Sequence, residues 1–360
     1  MNRNNQVKKM VAVIIVSILS FLVADNDAIF YKQPVGLVTA VKTVDKQEQK
    51  DEFENSDITF TQQLTVHLQN KSKKTIHLTN DVVGSQLLSE KYSVGQKLLL
   101  QNYQGEYSIY SLKRDQIIAP LVVLTLSFII IFVDFKKYLF ILLSLTVNAV
   151  LYFVFVIFDV SSGRFNVIIG SLVLAILSTL VTFGLIIGFK KSSVIAIVST
   201  IAASLVSVLI AFVSIYLTGN NGVHFENSEF VTQPPTTLFF AQMIISVLGA
   251  VMDETSDITA AIFTISEENQ NSTFASLFKH GMSAGKEIMG TLINVLFMIF
   301  IGELIPMFLV YLRDGNEWSY IFDQVLNLGI LQTITAGIGI VIAVPITSYL
   351  SAISKKKVRS

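Results

Sequence analysis

The chain has 360 residues, of which 52% are hydrophobic and 14% are charged. Soluble domains carry about 25% charged residues, so this composition excludes an ordinary soluble protein and indicates a membrane protein with several spans. A formal net charge of zero gives no general attraction to nucleic acid, and the absence of cysteine excludes disulfides, thiolate metal sites and a cysteine nucleophile.

Apolar runs along the chain approach the roughly 20 residues that a helix needs to cross a bilayer. The first run, at residues 10–24, follows two lysines and could be a signal peptide. Its last three residues, Leu-Val-Ala, form a poor small-x-small cleavage site, so we predict an uncleaved membrane anchor over residues 1–24. Seven further spans, which make eight with the anchor, are predicted at residues 117–133, 138–158, 167–189, 194–217, 237–252, 288–312 and 330–350.

Residues 25–116 have the mixed, highly charged composition of a water-exposed domain. Apolar and polar residues alternate there with the period of a β-strand. The apolar positions are Phe60, Leu64, Val66 and Leu68, followed by Ile76 and Leu78 after the turn sequence NKSKK. A second hairpin with Gln-Gly near its tip is predicted within residues 94–112. We therefore predict a small all-β domain of about five strands, OB-like in type, after a loose charged linker at residues 45–57.

The distribution of lysine and arginine predicts the orientation of the spans, because cytoplasmic loops are enriched in both. With the N-terminus inside, the cytoplasmic segments hold thirteen such residues: Arg3, Lys8, Lys9, Lys136, Lys137, Lys190, Lys191, Lys279, Lys286, Lys355, Lys356, Lys357 and Arg359. The short outer loops hold two, Arg164 and Arg313. Both termini are therefore predicted to be cytoplasmic, residues 25–116 extracytoplasmic, and residues 117–360 a membrane domain of seven helices.

The sixth span ends on acidic residues, and its helical pattern continues beyond them. At about 100° per residue, one face carries Asp253, Ser256, Asp257, Ala260, Thr264 and Glu267, and the opposite face carries Ile258, Ile262 and Ile265. Residues 253–287 are thus predicted to form a cytoplasmic amphipathic segment.

The seventh span presents a polar face of its own, about 140° wide, made by Ser283, Lys286, Glu287, Gly290, Thr291 and Asn294. We predict that this face meets the acidic face of the sixth helix in a water-accessible crevice, because ionisable groups within a membrane face protein or water. Lys286 would pair with Asp253 or Asp257. The alternative is that Asp253 and Glu254 only mark where the helix leaves the lipid and that Lys286 reaches the headgroups.

Other polar residues of the spans have simpler interpretations. Glu303 could end a polar pathway or be hydrated at the outer boundary. Asn148 and Gln242 are predicted to form interhelical hydrogen bonds. His67 and His77 could face each other across a hairpin, but two ligands without a third are weak grounds for a metal site, and no cofactor is predicted.

Two stretches, GAVMD and GMSAGKEIMGTLINVLFMIFIG, resemble the signature of the YibE/YibF family of bacterial multi-span membrane proteins. The matching positions are Gly249, Ala250, Val251, Met252, Asp253, Gly281, Gly285, Lys286, Glu287, Ile288, Met289, Gly290, Thr291, Asn294 and Gly302. The family usually has arginine and aspartate at Lys286 and Glu287 and a small or hydroxyl residue at Asp257; lysine in place of arginine loses a bidentate fork. The resemblance implies a permease-like or otherwise uncharacterised protein of the bacterial plasma membrane, with a paralogous membrane partner or a homo-oligomeric assembly.

The residues and the resemblance together lead us to expect a transporter or permease-like subunit with its site between the sixth and seventh helices. The expected substrate- or ion-binding residues are Asp253, Asp257, Lys286, Glu287, Thr291 and Asn294, and the expected helix-packing residues are Gly249, Gly281, Gly285 and Gly290. The alternative is a non-transporting scaffold or sensor whose outer β domain binds a partner. An enzyme is not expected, because the chain has no phosphate-binding glycine loop, zinc-protease helix or nucleophile elbow.

Overall fold

The computed structural model describes residues 3–50, 56–70, 74–84, 86, 89–162, 166–225, 234–269 and 271–356. The chain divides into two compact units, Met1–Tyr138 and Leu139–Ser360. The predicted positions Arg164, Lys357 and Arg359, and the middle of the NKSKK turn, lie outside the described residues.

The first unit is a β domain between two helices. In chain order it contains α1 (Arg3–Asp25), a 3₁₀ turn (Asp27–Phe30), β1 (Val35–Lys50), β2 (Ser56–Leu68), β3 (Thr75–Val83), β4 (Lys97–Tyr103), β5 (Glu106–Leu112) and α2 (Asp115–Phe132). The five strands form one antiparallel sheet in the order β3-β2-β1-β4-β5, and its two edge strands contact each other. This arrangement fits the predicted small OB-like domain between the first and second helices.

Two of the antiparallel strand pairs of this sheet, β4–β5 and β1–β2, compare differently with the predictions. The β4–β5 hairpin turns at Gln104 and Gly105, both with positive φ (52° and 99°), which is the conformation of a tight two-residue hairpin turn. The predicted loose linker at residues 45–57 is wrong where the chain is described, because β1 runs to Lys50 and pairs with β2 as far as Ser56. Alternating polar and charged residues concealed a strand whose two faces are both largely solvated.

The β domain is joined to its two helices by a buried lysine. The Lys113 side chain is 0% exposed, and its Nζ lies 2.7 Å from Asp27 Oδ1 and 2.9 Å from Asp115 Oδ1. It also donates a hydrogen bond to the Ala24 carbonyl at 2.5 Å. The Tyr31 hydroxyl donates to Asp115 Oδ2 at 2.7 Å, and burial together with this hydrogen bond raises the pKa of Tyr31. The ends of α1 and α2 are therefore fixed to the domain by one charged network.

The second unit is helical. It continues α3 (Phe135–Ser162) with α4 (Val167–Ile186), α5 (Lys191–Leu217), α6 (Pro235–Glu268), α7 (Phe274–Arg313), the short α8 (Trp318–Ile321), a π-helical turn (Phe322–Leu326) and α9 (Asn327–Lys356). Seven helices in the described part of the chain are long and apolar enough to cross a membrane, and α2 is a shorter apolar helix. The predicted fold class, a polytopic α-helical membrane protein with a small β domain, is confirmed.

The core of the second unit lies where α5, α6 and α9 pack together. Gly339 of α9 lies against α6 so closely that an added Cβ would be 2.8 Å from Val251 Cγ2. Ser207 of α5 donates a hydrogen bond of 2.5 Å to the Thr335 carbonyl of α9. Small residues and hydroxyls are the usual means by which helices approach each other in membranes. Asn148 follows the same rule and donates to Thr182 Oγ1 at 2.8 Å, as predicted.

Candidate functional site

The acidic residues of the sixth span lie on one uninterrupted helix. The segment 253–268 continues α6 without a break, and α7 begins only six residues after α6 ends. Asp253 and Asp257 are exposed. They share a stripe about 60° wide with Gln242 and Ser246, which lie about two or more turns earlier, so α6 carries polar side chains along one face for most of its length.

Gly281 and Gly285 hold the start of α7 against α6 and α9. A Cβ added to Gly281 would lie 2.5 Å from Ile262 Cδ1 and 2.6 Å from Ser348 Oγ. One added to Gly285 would lie 2.6 Å from Val344 Cγ1. Both glycines are buried, so the small-xxx-small pair makes the close contact expected of it.

The polar face of α7 points away from this contact. Asn294 follows Gly285 by nine residues, which is about 180° around the helix. Lys286, Glu287, Thr291 and Asn294 are all exposed, and the Asn294 amide donates to the Gly290 carbonyl of its own helix at 2.9 Å. Among the described ion pairs there is none between Lys286 and Asp253 or Asp257. Within one chain, the predicted site residues of α6 and α7 are therefore not brought together.

The two remaining glycines of the predicted packing set do not form a close helix contact in the described structure. A Cβ added at Gly249 or Gly290 would meet no atom within 4 Å. Gly249 shares its stripe with Asp253, and Gly290 shares its face with Asn294. Any packing role of these glycines would therefore need another chain, and it stays a prediction.

A large polar crevice lies at the other end of the same helices, between α6, α7 and α9. Its volume is about 570 Å³. The polar side chains that line it are Gln242 and Ser246 of α6, Glu303 of α7, and Gln332 and Thr333 of α9. Gly329 lies at its edge against the Phe300 ring, and the π-helical turn ends three residues before Gly329. Glu303 thus lies on the inward face of α7, and Gln242 lines a cavity.

The sequence interpretation treated Glu254 only as a marker of the membrane boundary, but its side chain is 0% exposed. Neither carboxyl oxygen of Glu254 has a hydrogen-bond partner among the described atoms. Glu254 lies within about 60° of Val251 and about 40° of Ile258 around α6, and both of those residues are fully buried. The available signal was therefore a glutamate on the apolar stripe of an otherwise amphipathic helix.

Buried hydroxyl groups lie on α6, which carries Glu254, and on its neighbours α5 and α9. Thr255, its neighbour, is 2.6 Å from Thr200 Oγ1 of α5. Seven others are buried without a hydrogen-bond partner in the described structure. They are Ser204 of α5 and six residues that we call the hydroxyl cluster: Ser193 and Ser199 of α5, Thr259 of α6, and Thr347, Ser348 and Ser351 of α9. No sequence pattern groups these residues, because serine and threonine are common in membrane helices for packing alone.

The described residues do not contain a group of three or more His, Asp or Glu side chains placed to hold a metal ion. His67 pairs with Thr75 and His77 with Thr65 across the β2–β3 ladder, so the two histidines are diagonal neighbours. His224 Nε2 lies 3.0 Å from Asp323 Oδ2 in the π-helical turn, and the acids that follow His224 in sequence lie outside the described residues.

Two family models match the chain. Residues 121–357 match the model described as YibE/F-like protein, and residues 29–113 match the model described as YibE/F family N-terminal domain. The two matches together cover nearly the whole chain. No curated protein and no solved structure matches the chain significantly.

Proposed function

Because the chain belongs to the YibE/F-like family, we propose that it is a membrane transport protein, or a subunit of one, whose route passes through the crevice between α6, α7 and α9. The observation that carries this proposal is the lining of the crevice. Gln242, Glu303 and Gln332 line a cavity of about 570 Å³ between three helices that are apolar enough to cross a membrane. Polar groups are costly within a membrane unless they face water, protein or a ligand.

The π-helical turn before α9 supports the same position for the route. Such turns interrupt the regular backbone and are frequent at functional sites. Asp323 within this turn contacts His224, and Asn327 directly after it donates a hydrogen bond to the Gly222 carbonyl. The segment after α5 is thus tied to the irregular end of the α8–α9 helix, next to the residues that line the crevice. A change in this turn would alter the crevice directly.

The proposed orientation places both termini in the cytoplasm of a bacterium, in its plasma membrane, with residues 25–116 outside. Its support is the excess of lysine and arginine in alternate segments. In this orientation the crevice faces outward, and the turn between α6 and α7 lies at the cytoplasmic surface.

The proposed assembly contains a second copy of the chain against the polar face of α7. The most apolar stretch of α7 has no residue buried within the chain, and the exposed Lys286, Glu287 and Asn294 would otherwise face lipid. The exposed acids Asp253 and Asp257 on α6 are complementary in charge to Lys286. A second chain would cover both polar surfaces, as intramembrane ionisable groups require. A paralogous chain could fill the same position.

The experiment uses the full chain in proteoliposomes on a solid-supported membrane. Rapid jumps in Na⁺, K⁺, Mg²⁺, phosphate or mixed amino acids should give a transient current with at least one probe. The Gln332→Leu and Glu303→Gln variants should lose that current, whereas Glu267→Gln, on the exposed end of α6, should retain it. The absence of any current above protein-free liposomes, or equal currents in all variants, would contradict the proposal.

The same reconstituted chain also distinguishes transport from the scaffold alternative and from catalysis. A scaffold that acts through its β domain should give no current and should lose its cellular effect when residues 29–113 are deleted. We propose transport rather than catalysis because the sequence offers no nucleophile or metal motif. Hydrolysis of a lipid-linked substrate by the reconstituted chain would contradict that choice.

A further inference from the structure

We propose that Glu254 is a proton-binding group at the centre of the membrane domain and that the hydroxyl cluster connects it to the end of the bundle where α6 meets α7. This inference rests on the proposed function, since a proton-binding carboxyl inside a transport protein is a means of coupling. Glu254 was not among the predicted site residues.

The position of Glu254 requires that its charge be neutralised. It lies 14 residues before the end of α6, or about 21 Å along the axis. Its side chain is completely buried on the stripe that also carries Val247, Val251 and Ile258. An ionised carboxylate is very costly there unless it is paired or hydrogen-bonded, and both of its oxygens lack a partner in the described structure. A proton on the carboxyl removes the cost of the buried charge.

Among the described contacts, no basic side chain pairs with Glu254 to neutralise its charge. The helices packed against α6 are α4, α5, α7 and α9. Their ionisable residues are Lys191 and Tyr216 on α5, Lys279, His280, Lys286, Glu287, Glu303, Tyr311 and Arg313 on α7, and Tyr349, Lys355 and Lys356 on α9, with none on α4. None of them forms an ion pair with Glu254 among the described contacts. On α6 itself the neighbours are the acids Asp253 and Asp257, which oppose a second negative charge.

The hydroxyl cluster occupies the space between Glu254 and one end of the bundle. Thr200 meets Thr255, and farther along α5 Ser207 lies beside Gly339 together with Val251 and Val247 of α6, so α5 runs antiparallel to α6. Gly339 lies beside Val251, whereas the later residues Val344 and Ser348 lie with Ile258 and Ile262 around Gly285 and Gly281, so α9 runs parallel to α6. Three ends therefore coincide: the start of α5, the end of α6 and the end of α9. The residues of the cluster lie along each helix between the level of Glu254 and that end: Thr259 on α6, Ser199 and Ser193 on α5, and Thr347, Ser348 and Ser351 on α9.

Each hydroxyl of the cluster is buried and lacks a partner in the described structure. Buried polar groups in proteins are bonded to protein or to ordered water. Water molecules would satisfy these six hydroxyls, and hydroxyls joined through hydrogen-bonded water can pass protons along. On the other side of Glu254, Ser246 is eight residues away, about 12 Å along α6, and lines the crevice. Glu254 thus lies between the cluster and the crevice.

The test measures the protonation of Glu254 without any transported substrate. Infrared spectra of the full chain in lipid films are recorded at stepped pH for the wild type, Glu254→Gln and Glu303→Gln. We expect a carbonyl stretch of a protonated carboxyl near neutral pH, its loss in Glu254→Gln but not in Glu303→Gln, and its decrease as pH rises. If Glu254→Gln does not fold, Glu254→Asp keeps a carboxyl and should shift the band.

Four results would overturn the proposal. An identical band in wild type and Glu254→Gln would mean that Glu254 is ionised. A band that does not change at any pH would mean a fixed structural carboxyl. A band that is present in choline chloride and disappears in sodium chloride would mean a sodium site. Equal rates of hydrogen–deuterium exchange of the band in wild type and Thr259→Val, with Thr264→Val as the exposed control, would remove the hydroxyl cluster as the path.

The infrared spectra and the current measurements together distinguish a failure of this inference from a failure of the proposed function. A Glu254 band that titrates, with no current in the ion and solute jumps, would reject transport and leave the proton-binding group. A current that is unchanged in Glu254→Gln, without a titrating band, would reject the proton-binding group and leave transport.

Discussion

Thr200 on α5 and Thr255 on α6 are joined by a hydrogen bond of 2.6 Å between their hydroxyl oxygens, in a fully buried position. Each hydroxyl also contacts a carbonyl of its own helix, Ala196 for Thr200 and Met252 for Thr255. One hydroxyl must therefore donate across the helix interface. The bond fixes the rotation of α6 at the residue next to Glu254.

Thr255→Val should destabilise the membrane domain because valine keeps the shape of threonine and removes the interhelical bond. We expect a loss of about 1 kcal/mol in the free energy of unfolding in bicelles. Thr264→Val is the matched control, since its hydroxyl is exposed and bonds only to the Ala260 carbonyl. The double variant with Thr200→Val should lose little more than either single variant; two additive losses would show that the hydroxyls do not act as a pair.

Gly285→Ala should destabilise the contact of α7 with α9. The new methyl group would lie 2.6 Å from Val344 Cγ1 and 2.9 Å from Ile258 Cδ1. Both neighbours are buried, so a shift of either side chain would disturb the packing around it, and we expect a cost of about 2 kcal/mol in the same unfolding measurement.

Gly290→Ala is the matched control for that substitution, because its added methyl group meets nothing within 4 Å. Alanine is the better helix former by about 1 kcal/mol, so this variant should be as stable as the wild type or slightly more stable. Equal destabilisation by the two substitutions would mean that Gly290 packs as closely as Gly285, in this chain or against another.

The spans and the β domain could be predicted because each rests on a strong local pattern. A bilayer requires long apolar runs, and a half-buried sheet requires alternation, so residues 167–186 and the β4–β5 hairpin follow from sequence alone. The pair Gly281 and Gly285 was also informative, since only very small residues permit such close packing.

The site could not be predicted in the same way, because helical periodicity shows which residues share a face but not which neighbour that face meets. Asn294 and Asp253 each belong to a clear polar face. The packing of Gly285 against Val344 turns the first of these faces away from the chain. Glu254 was missed for a related reason: it shares the apolar stripe of α6, but at the end of an apolar run the same position also fits an acid that is hydrated at the membrane boundary.

Lys113→Met should weaken the attachment of the β domain to α1 and α2. It would leave the partly buried carboxylates of Asp27 and Asp115 without their shared cation, a change that costs about 3 kcal/mol for buried pairs. Hydrogen exchange of the full chain, followed by mass spectrometry, should show faster exchange in β4, β5 and the 3₁₀ turn.

Two variants make that result specific to the charge network. Lys74→Met removes an exposed lysine of the same domain and should leave exchange unchanged. Adding Asp115→Asn to Lys113→Met removes one of the uncompensated charges and should restore part of the protection. Unchanged exchange in Lys113→Met would contradict the role given to this network.

Asn294→Cys should form cross-links between two copies of the chain if a second copy covers the polar face of α7. The chain has no cysteine, so a single introduced thiol is the only reactive site. Asn294 lies on the face that one chain leaves exposed, opposite the buried Gly285, and cross-linking in native membranes should give a species of twice the mass of the chain. Leu209→Cys, on an exposed apolar face of α5, should remain uncross-linked, because an apolar face is already satisfied by lipid.

Charge reversal by Lys286→Glu should abolish the cross-link at position 294, since Asp253 and Asp257 of the second copy would then meet a third negative charge. A monomeric mass for both cysteine variants in lipid nanodiscs would contradict the second copy.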